Sequence, residues 1–238
     1  MKMKNKIKPV RKNGKKVSVI LLSGGLDSCV AAVMKAEEGN EVYILSVDYE
    51  SPPTQREHES RNKIINWLLN NFKNVKKHEQ VKLNGYIKLR TVERGSLIPQ
   101  GYPFTRDEMF ILLAASWLER LLIENEDYEI GEVVIATTKE DTLNFEDIRP
   151  EVYTCIKGIL DTKYCNKIKK SMLVSVPFIE MMKHEVIKKG VEIGAPLQYT
   201  WSCYFGEEQP CDNCDQCKWR KEAFKSAGAK DPLLLLAK

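Results

Sequence analysis

Short apolar runs alternate with longer amphipathic segments along the 238 residues of this chain. The apolar runs are rich in β-branched residues and predict buried strands at 17–22, 41–48, 75–83, 132–137 and 173–176. The segments between them carry apolar residues at helical spacing and predict helices over 26–37, 55–72, 107–123, 148–160 and 181–193. Strands that alternate with helices are typical of an α/β fold, in which helices cover both faces of a parallel sheet.

The carboxyl ends of the predicted strands fall close to Ser23, Asp48, Thr137 and Pro177. Ligands of open parallel sheets bind beyond the carboxyl ends of the strands. We therefore expect the functional site to gather around these four positions.

The first predicted strand leads directly into the hexapeptide Ser23-Gly24-Gly25-Leu26-Asp27-Ser28, within which a helix is predicted to begin. Adjacent glycines let the backbone adopt positive φ and approach an anion closely, while the free N–H groups and the dipole of the helix start attract negative charge. Ser23 and Ser28 add hydroxyl donors, and Asp27 can hold a magnesium ion against phosphate oxygens. A bare pair of glycines usually forms an ordinary turn, but the whole hexapeptide after a strand predicts a phosphate-binding loop.

Charge is distributed unevenly along the chain. The formal net charge is +4, yet the first 16 residues hold eight Lys or Arg and no acid, which leaves −4 for the other 222 residues. We expect a disordered basic tail at 1–16 and, without a basic stripe on the body, no nucleic-acid substrate. No apolar segment reaches the roughly 20 residues that span a membrane, and the basic start lacks the apolar stretch of a secretory signal. A cytoplasmic protein without a membrane partner is expected.

Four of the seven cysteines lie in one segment with the spacing C-x7-C-x2-C-x2-C, at Cys203, Cys211, Cys214 and Cys217. Gaps of two residues let neighbouring thiolates face one metal, and four soft ligands suit tetrahedral zinc. An iron–sulfur cluster is the open alternative, whereas disulfides do not suit a chain without an export signal. We predict a closed structural zinc site, and we predict that Cys29 is a buried helix residue rather than a nucleophile.

The hexapeptide resembles the PP-loop of the N-type ATP pyrophosphatases, which split ATP between its α and β phosphates. This resemblance implies an adenine nucleotide α-hydrolase fold, adenylation chemistry and ATP accompanied by Mg²⁺. It implies that ATP is bound by Leu22, Ser23, Gly24, Gly25, Leu26, Asp27, Ser28 and Asp48.

A second resemblance covers most of residues 17–224. Thr200-Trp201-Ser202-Cys203-Tyr204, followed by Cys211, Cys214, Cys217 and Arg220, resembles the C-terminal signature of the QueC family of 7-cyano-7-deazaguanine synthases. Other segments resemble further motifs of that family, namely Asp48-Tyr49 with Gln55-Arg56, Arg106 with Phe110, Asp141 with Asp147-x-Arg149-Pro150-Glu151, and Lys183.

The QueC resemblance implies that the enzyme adenylates 7-carboxy-7-deazaguanine with ATP and that ammonia leads the product to the nitrile. It implies catalytic roles for Asp27, Lys183 and Arg149, since the cations can steady phosphate or carboxylate oxygens. It also implies that the substrate is bound by Arg56, Arg106, Asp141, Asp147, Arg149 and Glu151, whose carboxylates could accept hydrogen bonds from a guanine-like edge. A homodimer is expected, with an ATP-binding domain at 17–197 and a zinc-binding module at 198–238.

Departures from the family pattern fall on segments expected to line the acceptor site. The chain inserts 50–54, carries Asp107 where the family has asparagine, and differs at 137–140 and 143–146.

Three alternatives to a nitrile-forming synthase are open. One is a QueC-like ligase that joins the activated carboxylate to another amine, such as a protein N-terminus, in anti-phage defence. The others are a tRNA-thiolating PP-loop enzyme and a non-catalytic zinc adaptor.

Overall fold

A five-stranded sheet forms the centre of the described part of the protein. The computed structural model describes residues 14–49, 54–85, 105–145, 148–163 and 170–235. Its strands are β1 Lys15–Leu21, β2 Glu41–Asp48, β3 Val75–Lys82, β4 Tyr128–Val134 and β5 Ser171–Ser175. The order across the sheet is β3-β2-β1-β4-β5, and every neighbouring pair is parallel. The predicted parallel sheet is therefore confirmed.

Helices connect the strands and cover the sheet. They are α1 Leu26–Glu37, α2 Thr54–Asn71, α3 Arg106–Glu124, α4 Lys139–Asn144, α5 Pro150–Lys163, α6 Lys183–Glu192, α7 Asp215–Ala227 and α8 Pro232–Leu235, with a 3₁₀ turn at Leu197–Tyr199. Among the described residues, no helix is both long enough and apolar enough to cross a membrane. The predicted tail at 1–16 lies almost wholly outside the described residues, and so does the insertion at 50–54, of which only Thr54 is described.

Two cores lie on opposite faces of the sheet, because side chains alternate between the faces along each strand. Ile20 and Leu22 pack in one core with Val30 of α1 and Ile64 of α2, and this core also includes Phe224 of α7. Residues of the other core come from β1, α3 and α5, for example Val17, Val19, Ile111, Leu118 and Ile156. Helices on both faces thus confirm the predicted layering. Cys29 lies in the first core with 0% exposure, and burial raises the pKa of its thiol, as expected for a structural residue.

Most predicted element bounds agree with the structure to within three residues. The exceptions are β4, which begins earlier than predicted, and three helices that the sequence pattern did not predict. β4 begins at Tyr128 rather than 132, because Tyr128 to Gly131 already pair with the start of β1. Gly131 weakens the strand pattern in the sequence, yet Leu118 packs so closely against it that an added Cβ would lie 2.8 Å from Leu118 Cδ1. The helices α4, α7 and α8 were not predicted.

Candidate active site

A cavity of about 710 Å³ lies beyond the carboxyl ends of β1, β2 and β4. Its floor is formed by Leu21 at the end of β1 and Leu22 after it, Leu45 and Val47 of β2, and Ile135 after β4. The strands β2 and β3 follow on one side of β1 in the sheet order, whereas β4 and β5 follow on its other side. The strand order therefore reverses between β1 and β4, and such a switch point opens a crevice for a ligand. The cavity therefore occupies the position that the strand pattern predicts.

The glycine hexapeptide lies at this cavity and bends tightly between β1 and α1. Gly24 has φ +98°, and a Cβ on it would lie 2.8 Å from the Glu57 carbonyl oxygen. Ser23 Oγ accepts a hydrogen bond from the Gly25 N–H at 3.1 Å and lies 3.1 Å from Ser28 Oγ. Gly25 is the N-cap of α1, and no side chain caps that helix start. The loop thus presents a helix N-terminus to the cavity, which is the arrangement that attracts phosphate.

The ammonium group of Lys183 lies near two carboxylates at the cavity, and the two acidic residues are far apart in the sequence. Its Nζ lies 3.3 Å from Asp27 Oδ2 and 3.9 Å from Asp141 Oδ1. Burial would lower the pKa of Lys183, but Asp27 and Asp141 outweigh burial and raise it, so the side chain is a cation. Glu140 Oε2 accepts a hydrogen bond from the Lys183 N–H at 3.0 Å and so satisfies the start of α6.

Asp27 has the free oxygen that a magnesium site requires. Its Oδ1 is buried and has no hydrogen-bond partner among the described residues. Burial raises the pKa of this carboxyl, whereas the charge of Lys183 lowers it. A divalent cation beside Asp27 would complete the coordination of this oxygen and favour the ionised form. The donor set therefore fits Mg²⁺ that arrives with nucleotide phosphates.

The four predicted cysteine ligands form one cluster. Their sulfur atoms all lie within 4.8 Å of one another, and the Cys211–Cys217 and Cys203–Cys214 pairs are 4.0 Å apart. Four sulfurs each about 2.3 Å from a central zinc would be roughly 3.8 Å apart. The cluster is therefore compact enough for one metal ion.

Backbone N–H groups around the cluster favour thiolates. Cys203 Sγ accepts from the N–H of Phe205 at 3.4 Å, and Cys211 Sγ accepts from the N–H of Cys214 at 3.3 Å. The N–H groups of Asn213 and Cys214 lower the pKa of Cys211 to about 7, whereas burial raises the pKa of Cys203. A bound metal would ionise all four thiols.

The cysteine segment also forms one wall of the cavity. Lining residues from this segment are Trp201, Ser202, Cys203, Tyr204, Phe205, Cys214, Asp215 and Gln216. The backbone N–H of Trp201 donates to the Gly24 carbonyl oxygen at 3.0 Å, and this bond connects the wall to the glycine loop. The cysteine cluster and the glycine loop thus share a boundary of the cavity.

The other predicted site residues are distributed between the cavity and its surroundings. Arg106 lines the cavity and donates from Nη1 to Tyr49 Oη at 3.1 Å. Asp141 also lines it, but Asp141 Oδ2 accepts from the Thr138 N–H at 2.9 Å and from Thr138 Oγ1 at 2.6 Å. This capping box at the start of α4 leaves only Oδ1 towards Lys183.

Five described residues of the predicted site do not line the cavity. Gly24 is one of them, although the rest of the hexapeptide lines it. Arg149 and Glu151 are exposed at the start of α5. Asp48 Oδ2 lies 3.1 Å from His58 Nε2, and Arg56 Nε donates to the Glu207 carbonyl oxygen at 2.8 Å. Asp147 lies outside the described residues.

Two lining features were missed by sequence reasoning. Arg61 of α2 lines the cavity although it is only 4% exposed. It follows Glu57 by four residues and shares the apolar side of the helix with Ile64 and Leu68, and that spacing could have revealed its burial. The capping pair Thr138 and Asp141 could likewise have revealed α4.

Fold and site together define a parallel α/β protein with a glycine loop at its main cavity and a four-cysteine cluster that could hold a metal ion. Residues 17–228 match the family described as queuosine biosynthesis protein QueC, and the chain belongs to this family. It is similar to the 7-cyano-7-deazaguanine synthase of Acidobacterium capsulatum, with 32% identity over 91% of this chain and 95% of that protein. The 7-cyano-7-deazaguanine synthase of Thermoplasma volcanium is 31% identical over 92% of this chain and 90% of that protein.

A solved structure shows a weaker likeness. The NMN synthetase from Francisella tularensis matches with a TM-score of 0.49 and 12% identity, over 92% of this chain and 78% of that one. This likeness is too low to support any conclusion about function.

Proposed function

We propose that this protein uses ATP to adenylate 7-carboxy-7-deazaguanine and that ammonia then displaces AMP on the way to 7-cyano-7-deazaguanine. The observation that carries the proposal is the meeting of Lys183, Asp27 and the glycine loop in one cavity, with Nζ 3.3 Å from Asp27 Oδ2. Membership of the QueC family and two relatives named 7-cyano-7-deazaguanine synthase support the choice of substrate.

The proposed chemistry follows from the weak electrophilicity of a carboxylate. A carboxylate oxygen attacks the α-phosphorus of ATP, the bond to the bridging oxygen breaks, and pyrophosphate leaves. The glycine-loop N–H groups and the Lys183 cation stabilise the negative charge that develops on this leaving group. Mg²⁺ held at Asp27 would supply further charge neutralisation when bound. Ammonia then attacks the acyl carbon, AMP departs and a proton is lost, which leaves the amide. A second ATP adenylates the amide oxygen with release of pyrophosphate, and that oxygen leaves with AMP as the nitrogen loses its protons, which gives the nitrile.

Aromatic residues provide a wall that suits a planar base. Tyr49 and Phe110 both line the cavity, and their ring centroids are 5.6 Å apart at an angle of 53°. The guanidinium carbon of Arg106 lies 5.7 Å from the centre of the Tyr49 ring. We propose that the deazaguanine ring stacks in this corner and that Arg106 attracts its carboxylate.

The metal is proposed to be zinc with a structural role, because four thiolates leave no coordination position for chemistry. Arg149, Glu151 and Asp147 are retained as proposed substrate contacts, and Asp48 and Arg56 as proposed binding residues. The division into a tail at 1–16, a nucleotide domain at 17–197 and a zinc module at 198–238 belongs to the same proposal, as does a homodimer. Metal analysis and light scattering of the purified protein test these points.

The test of the proposed reaction is a product assay. Purified protein with Mg-ATP, 7-carboxy-7-deazaguanine and ammonia should yield AMP, pyrophosphate and the nitrile, identified by mass. Lys183→Met should slow pyrophosphate release at least about 100-fold, because a cation at the departing charge is lost. Lys189→Met, on the same helix and paired with Glu192, is the matched control and should keep the wild-type rate. Formation of only ADP and inorganic phosphate would contradict the proposal.

A second candidate is a ligase that joins the activated carboxylate to a larger amine. A smaller cavity of about 200 Å³ shares Asp141 and Lys183 with the main one and is also lined by Glu140, Glu222 and Trp219. Carboxylates and an aromatic ring suit a cationic amine. In the assay without ammonia, an amide formed with an added peptide N-terminus would favour this candidate. Product formation only when ammonia is supplied, with no peptide amide, would count against it.

A further inference from the structure

Arg61 is a buried cation with an unsatisfied donor. The residue is 4% exposed, and its Nη2 has no hydrogen-bond partner among the described residues. Burial lowers the pKa of its guanidinium, while the charges of Glu57 and Asp48 raise it. Arginine titrates so far above neutrality that the group stays charged. A buried N–H without a partner is costly, so a ligand that supplied an acceptor would be favoured.

The position of Arg61 relative to the glycine loop indicates which ligand supplies that acceptor. A Cβ built on Gly24 would lie 3.1 Å from Arg61 Cγ, which places the Arg61 side chain directly against the loop. Arg61 also lines the same cavity as Ser23, Asp27 and Lys183. Arg106, by contrast, already donates to Tyr49 and Asp107.

We propose that Arg61 binds the polyphosphate of ATP at the glycine loop and holds the pyrophosphate after the adenylyl group has been transferred. Planar guanidinium groups match phosphate oxygens in pairs of charge-assisted hydrogen bonds. This inference rests on the proposed use of ATP and adds a binding residue to it. It predicts that Arg61 recognises ATP and pyrophosphate but not AMP, which lacks the β and γ phosphates.

The test compares ligand binding by the full chain and by Arg61→Met. Affinities for Mg-ATP, Mg-pyrophosphate and AMP are measured by calorimetry, and melting temperatures are measured without ligand. Arg61→Met should lose roughly 10-fold to 100-fold in affinity for ATP and pyrophosphate, as expected for charge-assisted hydrogen bonds, and should keep its affinity for AMP. Its ligand-free melting temperature should be equal to that of the wild type or higher, because a buried N–H donor without a hydrogen-bond partner is removed.

Two further variants make the test specific. Lys63→Met changes an exposed cation two residues further along α2 and should bind all three ligands like the wild type. Arg61→Lys keeps a buried cation without the planar fork and should lose several-fold in affinity for ATP. This second variant preserves the test if Arg61→Met fails to fold.

Each outcome has a distinct meaning. Failure of the wild type to bind ATP would overturn the proposed function itself. Wild-type ATP binding with unchanged affinity in the Arg61 variants would overturn only the inference. A lower ligand-free melting temperature with unchanged affinities would assign Arg61 a structural role instead. Weaker binding of 7-carboxy-7-deazaguanine with unchanged pyrophosphate binding would assign the arginine to the substrate carboxylate and would also overturn the inference.

Discussion

Gly24 shows at the scale of a single residue why the loop needs glycine. It combines φ +98° with a contact so close that a Cβ would lie 2.8 Å from the Glu57 carbonyl oxygen. Gly39 has a similar φ of +80°, but a Cβ on it would meet nothing within 4 Å. At Gly39 only the backbone conformation favours glycine, whereas at Gly24 both the backbone conformation and the close packing favour it.

Gly24→Ala should destabilise the protein by about 2–4 kcal/mol, because positive φ and overpacking both oppose a methyl group. It should also weaken ATP binding, since α2 would have to move away from the loop. Gly39→Ala is the matched control and should cost about 1 kcal/mol without an effect on ATP. Denaturant titration and calorimetry measure both effects. Equal losses of stability in the two variants would contradict the role of the Glu57 contact.

Helix α7 illustrates how one element joins the cysteine segment to the body of the protein. Arg220 of α7 is 6% exposed and donates to both carboxylate oxygens of Asp231, at 2.6 and 2.9 Å. The same guanidinium donates to Thr200 Oγ1 at 2.9 Å and Ser202 Oγ at 3.1 Å. These bonds hold the strand-like segment before Cys203 against α7.

Arg220→Lys should lower the free energy of unfolding by about 2–4 kcal/mol, because a lysine cannot satisfy Asp231, Thr200 and Ser202 together. Arg120→Lys is the control, since Arg120 is exposed and pairs only with Glu124 among the described residues. Urea unfolding should show a clear loss for the first variant and little change for the second. A stable Arg220→Lys protein would show that the network contributes little.

The cysteine cluster should act on the glycine loop through Trp201, whose backbone N–H donates to the Gly24 carbonyl oxygen. Cys214→Ser should therefore reduce bound metal, lower the melting temperature and weaken ATP binding. Cys155→Ser, which changes an exposed cysteine outside the cluster, should alter none of these properties. Metal analysis, thermal unfolding and calorimetry test this prediction. Wild-type ATP affinity in a metal-free Cys214→Ser protein would separate the two sites.

At the scale of the whole molecule, a buried polar network stabilises the sheet near the amino ends of β1 and β4, at the end opposite the glycine loop. Glu132 of β4 is 2% exposed, and its carboxylate accepts from Ser18 Oγ at 2.7 Å. Lys16 and Lys35 lie 2.9 and 3.3 Å from the two carboxylate oxygens. Burial alone would raise the pKa of Glu132, but Ser18, Lys16 and Lys35 together hold it below its usual value.

Glu132→Gln should destabilise the protein by about 3 kcal/mol at neutral pH, because Lys16 and Lys35 would lose the buried anion that they share and Lys35 would keep only its pair with Glu38. The folded-state pKa of Glu132 is lower than the unfolded value of 4.5, so its stabilising effect is complete above that value and is lost as pH falls through the folded pKa. The difference between variant and wild type should therefore narrow in acid. Glu124→Gln, at an exposed site, is the control. A difference independent of pH would contradict this account.

The sequence allowed prediction of the features that depend on near neighbours. The bounds of α1 and β2 were predicted to the residue, because a buried strand and an amphipathic helix show their periods within a few turns. The clustering of the cysteines was also predictable, since two-residue gaps bring Cys211, Cys214 and Cys217 close together. Helix α4 was less visible, because it has six residues, none of them buried, and depends on the capping pair Thr138 and Asp141.

The sequence by itself determined the alternation of strands and helices, the glycine hexapeptide and the cysteine spacing, because these are local patterns of side-chain type. Only the tertiary structure decided that Lys183 lies beside Asp27, that Trp201 binds Gly24 and that Arg61 packs against the same loop. These pairs are distant along the chain, and their approach depends on strand order and helix packing. Chain periodicity predicts which residues are buried, but not which buried residues meet.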